Sequence, residues 1–161
     1  MKIVSFSTFE GKHIGVIRDE KIISLTAISP VEFPPCVKTF IQGGKELQQH
    51  AEQLVEQNVD KDVVFDISHV KILPPITQPE KIICVGLNYL DHCAETGMEP
   101  PASPVIFSKY ANAIIGHNDA VEIPINSNEV DFEAELVVVI GQEAKCVSEE
   151  EAMTMSSVIR L

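Results

Sequence analysis

The stretch Asn128-Glu129-Val130-Asp131-Phe132-Glu133-Ala134-Glu135-Leu136-Val137-Val138-Val139-Ile140-Gly141 joins an alternating segment to an unbroken apolar one. Side chains alternate faces along a strand, so Asp131, Glu133 and Glu135 share one side and Phe132, Ala134 and Leu136 the other. The run from Leu136 to Ile140 has the pattern of a strand buried on both faces. Phe132–Gly141 is therefore expected to be the firmest strand of the chain, with Glu133 and Glu135 at the mouth of its core. Like charges at i and i+2 repel, and desolvating each without a partner costs several kcal/mol. Solvent exposure, Lys or Arg partners, or a cation would resolve the conflict. After residue 100 the basic residues are Lys109, Lys145 and Arg160 alone. An all-oxygen donor set without His or Cys suits a hard ion such as Mg²⁺, Ca²⁺ or Mn²⁺.

Working outward, the acid is unevenly spread. Residues 1–118 hold 14 acidic and 10 basic side chains, a net of −4, and residues 119–161 hold 10 and 2, a net of −8. The surplus reads either as a solvated acidic face or as carboxylates gathered around a cation. Twelve basic against 24 acidic residues argue against a nucleic-acid surface. No run approaches the roughly 20 apolar residues of a membrane span, so a soluble chain without a membrane partner is expected. The N-terminus has neither the apolar block of a secretory signal nor the Arg and Ser richness of a transit peptide. Cys36, Cys84, Cys93 and Cys146 lack metal-finger spacing and read as buried free thiols, which suggests a reducing, cytoplasmic setting.

Residues 2–28 read as an antiparallel meander, with turns at Glu10-Gly11-Lys12 and Asp19-Glu20. Ser29–Pro35 is a loop. Leu47, Ala51, Leu54 and Val55 then form one apolar stripe of a surface helix. Pro74, Pro75 and Pro79 forbid regular structure and mark a boundary, giving an N-terminal α+β domain over 1–75 and a second domain over 76–161. Past that boundary, Lys81–Gly86, Val105–Phe107 and Val121–Pro124 read as strands and Asn88–Thr96 as a short helix. Ser148 and Glu151 form a capping box for a closing helix.

Three segments in order carry a resemblance: Lys81-Ile82-Ile83-Cys84-Val85-Gly86-Leu87-Asn88-Tyr89-Leu90-Asp91-His92, Pro104-Val105-Ile106-Phe107-Ser108-Lys109, and Val130 to Gly141. Residues 80–152 resemble the catalytic domain of the fumarylacetoacetate hydrolase superfamily, especially its fumarylacetoacetate hydrolase domain-containing proteins. Residues 1–75 resemble the small N-terminal domain many members carry. The resemblance implies an α+β, mainly β fold: a small β-rich domain, then the first part of a mixed β-sheet or β-roll catalytic domain.

The same resemblance implies that Glu133 and Glu135 ligate a divalent ion, Mg²⁺ with Ca²⁺ and Mn²⁺ as alternatives, and that His92 and Glu95 activate water. A helical i, i+3 spacing lets His92 and Glu95 meet on one face. Cys93, between them in sequence, reads as inert packing. The implied substrate is a 2-oxo or 2,4-dioxo acid, cleaved at a carbon–carbon bond or isomerised. Family members are commonly dimers, so a homodimer is expected of a full-length form, and some are mitochondrial. The family pattern stops near Ala152, before a third carboxylate ligand, for which Asp131 is a possible stand-in. The expectation is thus a C-terminally truncated chain with little or no activity, or a non-catalytic one that acts through a partner.

Overall fold

The computed structural model of the chain describes residues 1–59 and 62–157. They fall into two compact units, one built from residues 1–76 and 115–157, the other from 77–114.

In the first unit, β1 (Ile3–Ser7), β2 (Lys12–Arg18) and β3 (Lys21–Ser24) form the expected antiparallel meander. The register sets Ile3 opposite Val16, and Gly15 opposite Ser24. Gly15 lets β2 and β3 approach closely, because a Cβ there would lie 2.7 Å from both Ile22 Cγ2 and the Ile23 carbonyl. At the end of β3 the Ser24 hydroxyl accepts a hydrogen bond from the Ala27 amide at 3.0 Å. That bond caps a one-turn helix, α1 (Leu25–Ile28), which the sequence did not suggest. Next come α2 (Val37–Gln42) and α3 (Gly44–Gln57), the second carrying the expected apolar stripe. Two further strands, β4 (Val64–Asp66) and β5 (Lys71–Ile72), complete a five-stranded sheet in the order β4-β3-β2-β1-β5.

Period-two alternation gives this sheet two apolar faces. Ile14, Val16 and Ile23 meet Phe33, Val37, Phe40, Ala51 and Val55 from the helical segment on one face. Val4, Phe6 and Ile22 pack with Ile17, Phe65 and Ile72 on the other. Each such side chain contributes about 1.5–3 kcal/mol when fully buried.

The later segments of this unit depart from expectation. Phe132–Gly141 is not a long buried strand. Only Val139–Ile140 form one, β8, and its partner comes from further along the chain. Phe132 is 89% exposed and Leu136 68% exposed. A strand exists where a neighbour takes up its N–H and C=O groups. Among the described residues β8 has one strand neighbour, the two-residue Ser156–Ser157, so the ladder is two pairs long. An apolar pattern does not by itself supply the adjoining strand. Val121–Pro124 likewise forms no strand among the described residues. The capping box is present: Ser148 and Glu151 exchange bonds of 3.0 to 3.2 Å at the start of α5 (Glu149–Met155). Ser156–Ser157, which follows it, is β9.

The second unit holds β6 (Ile82–Gly86), α4 (Leu90–Thr96) and β7 (Val105–Lys109). The strands pair antiparallel, Ile82 opposite Lys109 and Gly86 opposite Val105, in a two-stranded ribbon. Every residue of β7 is exposed. All four cysteines are free thiols as expected, but only Cys93 is buried; Cys36 and Cys84 are half-buried and Cys146 is exposed.

Candidate active site

His92 and Glu95 stand on α4, a helix of under two turns held at both ends by backbone geometry. At its start, the β6–α4 turn passes through Leu87 at φ 53°, a left-handed conformation uncommon for a branched apolar residue. At its end, Gly97 takes φ 67° and returns its N–H to the carbonyls of Cys93 and Ala94. The His92 amide donates to the Asp91 carboxylate at 2.9 Å, and the Thr96 hydroxyl donates to the His92 carbonyl at 2.8 Å. His92 and Glu95 are both exposed, so either ring nitrogen or carboxylate can be reached from solvent. Beside the Gly86–Asn88 turn lies a hollow of about 240 Å³, walled on its other side by the proline-rich loop of residues 100–104.

Glu133 and Glu135 lie in irregular backbone before β8, and both are exposed. Of the three ways to relieve their repulsion, exposure to water is the one observed for both. Asp131, the possible stand-in, accepts a 2.8 Å hydrogen bond from the Phe132 amide and is exposed as well. Arg160 lies outside the described residues. Among the described residues no three His, Cys, Asp or Glu side chains are grouped to hold a metal ion. The pair Glu133 and Glu135 thus has the chemistry of a hard-ion donor set and falls short of a closed one. The His-Glu pair belongs to the 77–114 unit and the Glu-Glu pair to the other.

Some polar features had no signal in the sequence. Lys71 Nζ lies 2.7 Å from Asp119 Oδ1, a pairing across 48 positions that no local pattern announces. Asp119 also accepts the Gly116 amide at 2.8 Å; the lysine first and then this amide hold its carboxyl below the usual range. With His117 they line a cleft of about 610 Å³ in the first unit that contains none of the expected site residues. The left-handed Leu87 was also not anticipated, since only Gly86 flags that turn in the sequence.

Comparison with known proteins places the chain. Residues 81–158 match the family described as fumarylacetoacetate (FAA) hydrolase C-terminal. The chain belongs to the fumarylacetoacetate hydrolase superfamily. It is 39% identical over 157 residues to oxaloacetate tautomerase fahd2, mitochondrial, of Xenopus laevis, covering 95% of this chain and 48% of that protein. The fumarylacetoacetate hydrolase of the psychrophile Exiguobacterium antarcticum aligns with a TM-score of 0.73 at 28% identity, over 97% of this chain and 52% of that one. The maleylpyruvate hydrolase of Sphingobium sp. SYK-6, solved with manganese(II) ion and pyruvate, shares the fold, with a TM-score of 0.66 at 19% identity, over 97% and 55%. The chain therefore spans about half the length of the relatives it matches. The α+β fold expected from the sequence is that of these proteins.

Proposed function

We propose that this chain carries part of the reaction centre of an enzyme acting on 2-oxo or 2,4-dioxo acids, by carbon–carbon cleavage or by keto–enol isomerisation. One observation carries the reading: the family match over residues 81–158 spans His92, Glu95, Glu133 and Glu135 together. The kinship with an oxaloacetate tautomerase supports the substrate class. In this reading Glu133 and Glu135 supply two of the oxygen ligands of a divalent ion, Mg²⁺ first and Ca²⁺ or Mn²⁺ as alternatives. Such an ion polarises substrate oxygens as a Lewis acid when bound. His92 accepts a proton from water or from the substrate carbon, and Glu95, one turn on, orients the imidazole. The Xenopus relative is named as mitochondrial, which supports that compartment, and the cytoplasmic expectation gains no support. Among the described residues no helix is long and apolar enough to cross a membrane.

Among the described residues no third donor is grouped with the two carboxylates, and the chain is expected to bind Mg²⁺ weakly. Acylpyruvate cleavage is expected to stay at background. The test is oxaloacetate keto–enol conversion and acylpyruvate cleavage, followed spectrophotometrically with and without Mg²⁺. Metal-dependent turnover by this chain that Glu133→Gln abolishes would overturn the claim of inactivity while upholding the ligand. A second reading, a non-catalytic chain that works by association with a partner or a second copy, draws on the exposed apolar residues of β7.

A further inference from the structure

We propose that Cys93 and the β6–α4 turn form a clamp that fixes α4, making Cys93 a positioning residue for His92 and Glu95. The proposal rests on the catalytic reading of that pair. Its starting point is burial. Cys93, 2% exposed, is the one buried residue among those described from 77 to 114. The neighbours on either side, His92 and Ala94, are exposed. A helix this short has no intrinsic stability, so its orientation depends on what it packs against. In α4 the buried side chain is that of Cys93.

The thiol is also tied to the turn. Cys93 Sγ donates to the Leu87 carbonyl at 3.6 Å, and the Cys93 amide donates to the Tyr89 carbonyl at 3.1 Å. Leu87, which supplies that carbonyl, sits at φ 53°, a sparsely populated conformation for leucine that persists where the surroundings over-determine it. On the far side, the Cys93 carbonyl accepts the Met98 amide at 2.9 Å and the Thr96 hydroxyl at 3.3 Å. Cys93 therefore joins the entry and the exit of α4 through one residue. His92 and Glu95 flank it, and their direction follows from its anchoring.

The clamp makes opposite demands on substitutions at Leu87. Glycine adopts a positive φ without cost, so Leu87→Gly keeps the carbonyl in place. A β-branched residue resists that conformation, so Leu87→Val displaces it. The experiment is amide hydrogen exchange by NMR on the 161-residue chain, together with the ¹H–¹³C signal of the His92 imidazole. In Cys93→Ala, exchange at Cys93, Ala94, Gly97 and Met98 is expected to quicken about tenfold or more. The His92 signal should move toward its position in an unstructured peptide, while the melting temperature of the five-stranded sheet stays put. Leu87→Val should reproduce this, and Leu87→Gly and Cys93→Ser should remain near wild type. Unchanged α4 exchange in Cys93→Ala, or identical behaviour of the two Leu87 variants, overturns the clamp. A fall in sheet stability matching the change at α4 also overturns it, since Cys93 would then act on the whole fold. None of these readouts needs turnover, so failure of the catalytic reading leaves them intact.

Discussion

His13 shows how one residue ties the first unit to pH. Its ring is 8% exposed and lies 5.2 Å from the ring of Phe6 and 5.8 Å from that of Phe65, centroid to centroid. Nδ1 is 3.0 Å from the Ser24 hydroxyl and Nε2 3.5 Å from the Thr8 hydroxyl, so the neutral ring is satisfied. Burial disfavours the imidazolium and pushes the pKa below its ordinary 6.5, with the carboxylate of Glu10 opposing in part. The sign follows directly. A base whose pKa is depressed by folding leaves the unfolded chain holding more protons just below pH 6.5. Stability is then fully present above that value and falls as pH drops toward the depressed one. The sheet unit should lose denaturant resistance between pH 7 and pH 5, and His13→Leu should flatten the slope. An equal slope in both proteins would remove His13 as the cause. The acidic pair sets a second expectation at this scale. Two exposed carboxylates should hold Mg²⁺ with a dissociation constant on the order of millimolar or weaker. Glu135→Gln should erase whatever thermal stabilisation millimolar Mg²⁺ gives; an unchanged shift would sink Glu135 as a ligand.

Among the elements, α5 depends most plainly on a few atoms. The Ser148 hydroxyl accepts the Glu151 amide, and the Glu151 carboxylate accepts the Ser148 amide and hydroxyl. Those bonds, the backbone one first, hold the Glu151 carboxyl below its usual range. Ser148→Ala should cost the helix about 1 kcal/mol, seen as faster exchange of its first-turn amides; no change would show the cap to be idle. This cap was legible because its partners are three residues apart. So were the meander, whose turns are spelled by Glu10-Gly11 and Asp19-Glu20, and the stripe from Leu47 to Val55. The failures share a cause as well. Leu136–Ile140 has the composition of a buried strand, but burial depends on neighbours that its own residues do not encode. The same holds for the pairing of Lys71 with Asp119. For the site, residue type and spacing single out Glu133 with Glu135, whereas His92 with Glu95 comes from the family resemblance. The burial of Cys93 is legible in the sequence, but its bond to the Leu87 carbonyl is not, because residue type does not encode the left-handed turn between them.

Over the whole molecule, stability is concentrated in one unit. The sheet of the first unit is lined on both faces by apolar side chains, and Phe33 at its helical face is fully buried. Phe33→Ala should therefore cost about 3–5 kcal/mol of its cooperative unfolding, measured by denaturant titration. The second unit has a different balance. A two-stranded ribbon is marginal in water by itself, and β6 and β7 expose Ile83, Val85, Ile106 and Phe107 while a single residue of the unit, Cys93, is buried. Apolar side chains on both faces of a strand are the composition of a sheet interior. The chain spans only about half the length of the relatives it matches. Within this chain, the contrast sets the order of opening. Amides of β2 such as Ile14, which donates to the Thr26 hydroxyl, and Ile17, which donates to the Lys2 carbonyl, should exchange only through global unfolding, and those of Ile82–Gly86 through local opening at much lower free energy. Destabilisation by Phe33→Ala should accelerate the first set and leave the second unmoved. Exchange of β6 that slows to the rate of β2, or quickens with Phe33→Ala, would show that the ribbon shares the stability of the sheet and opens with it.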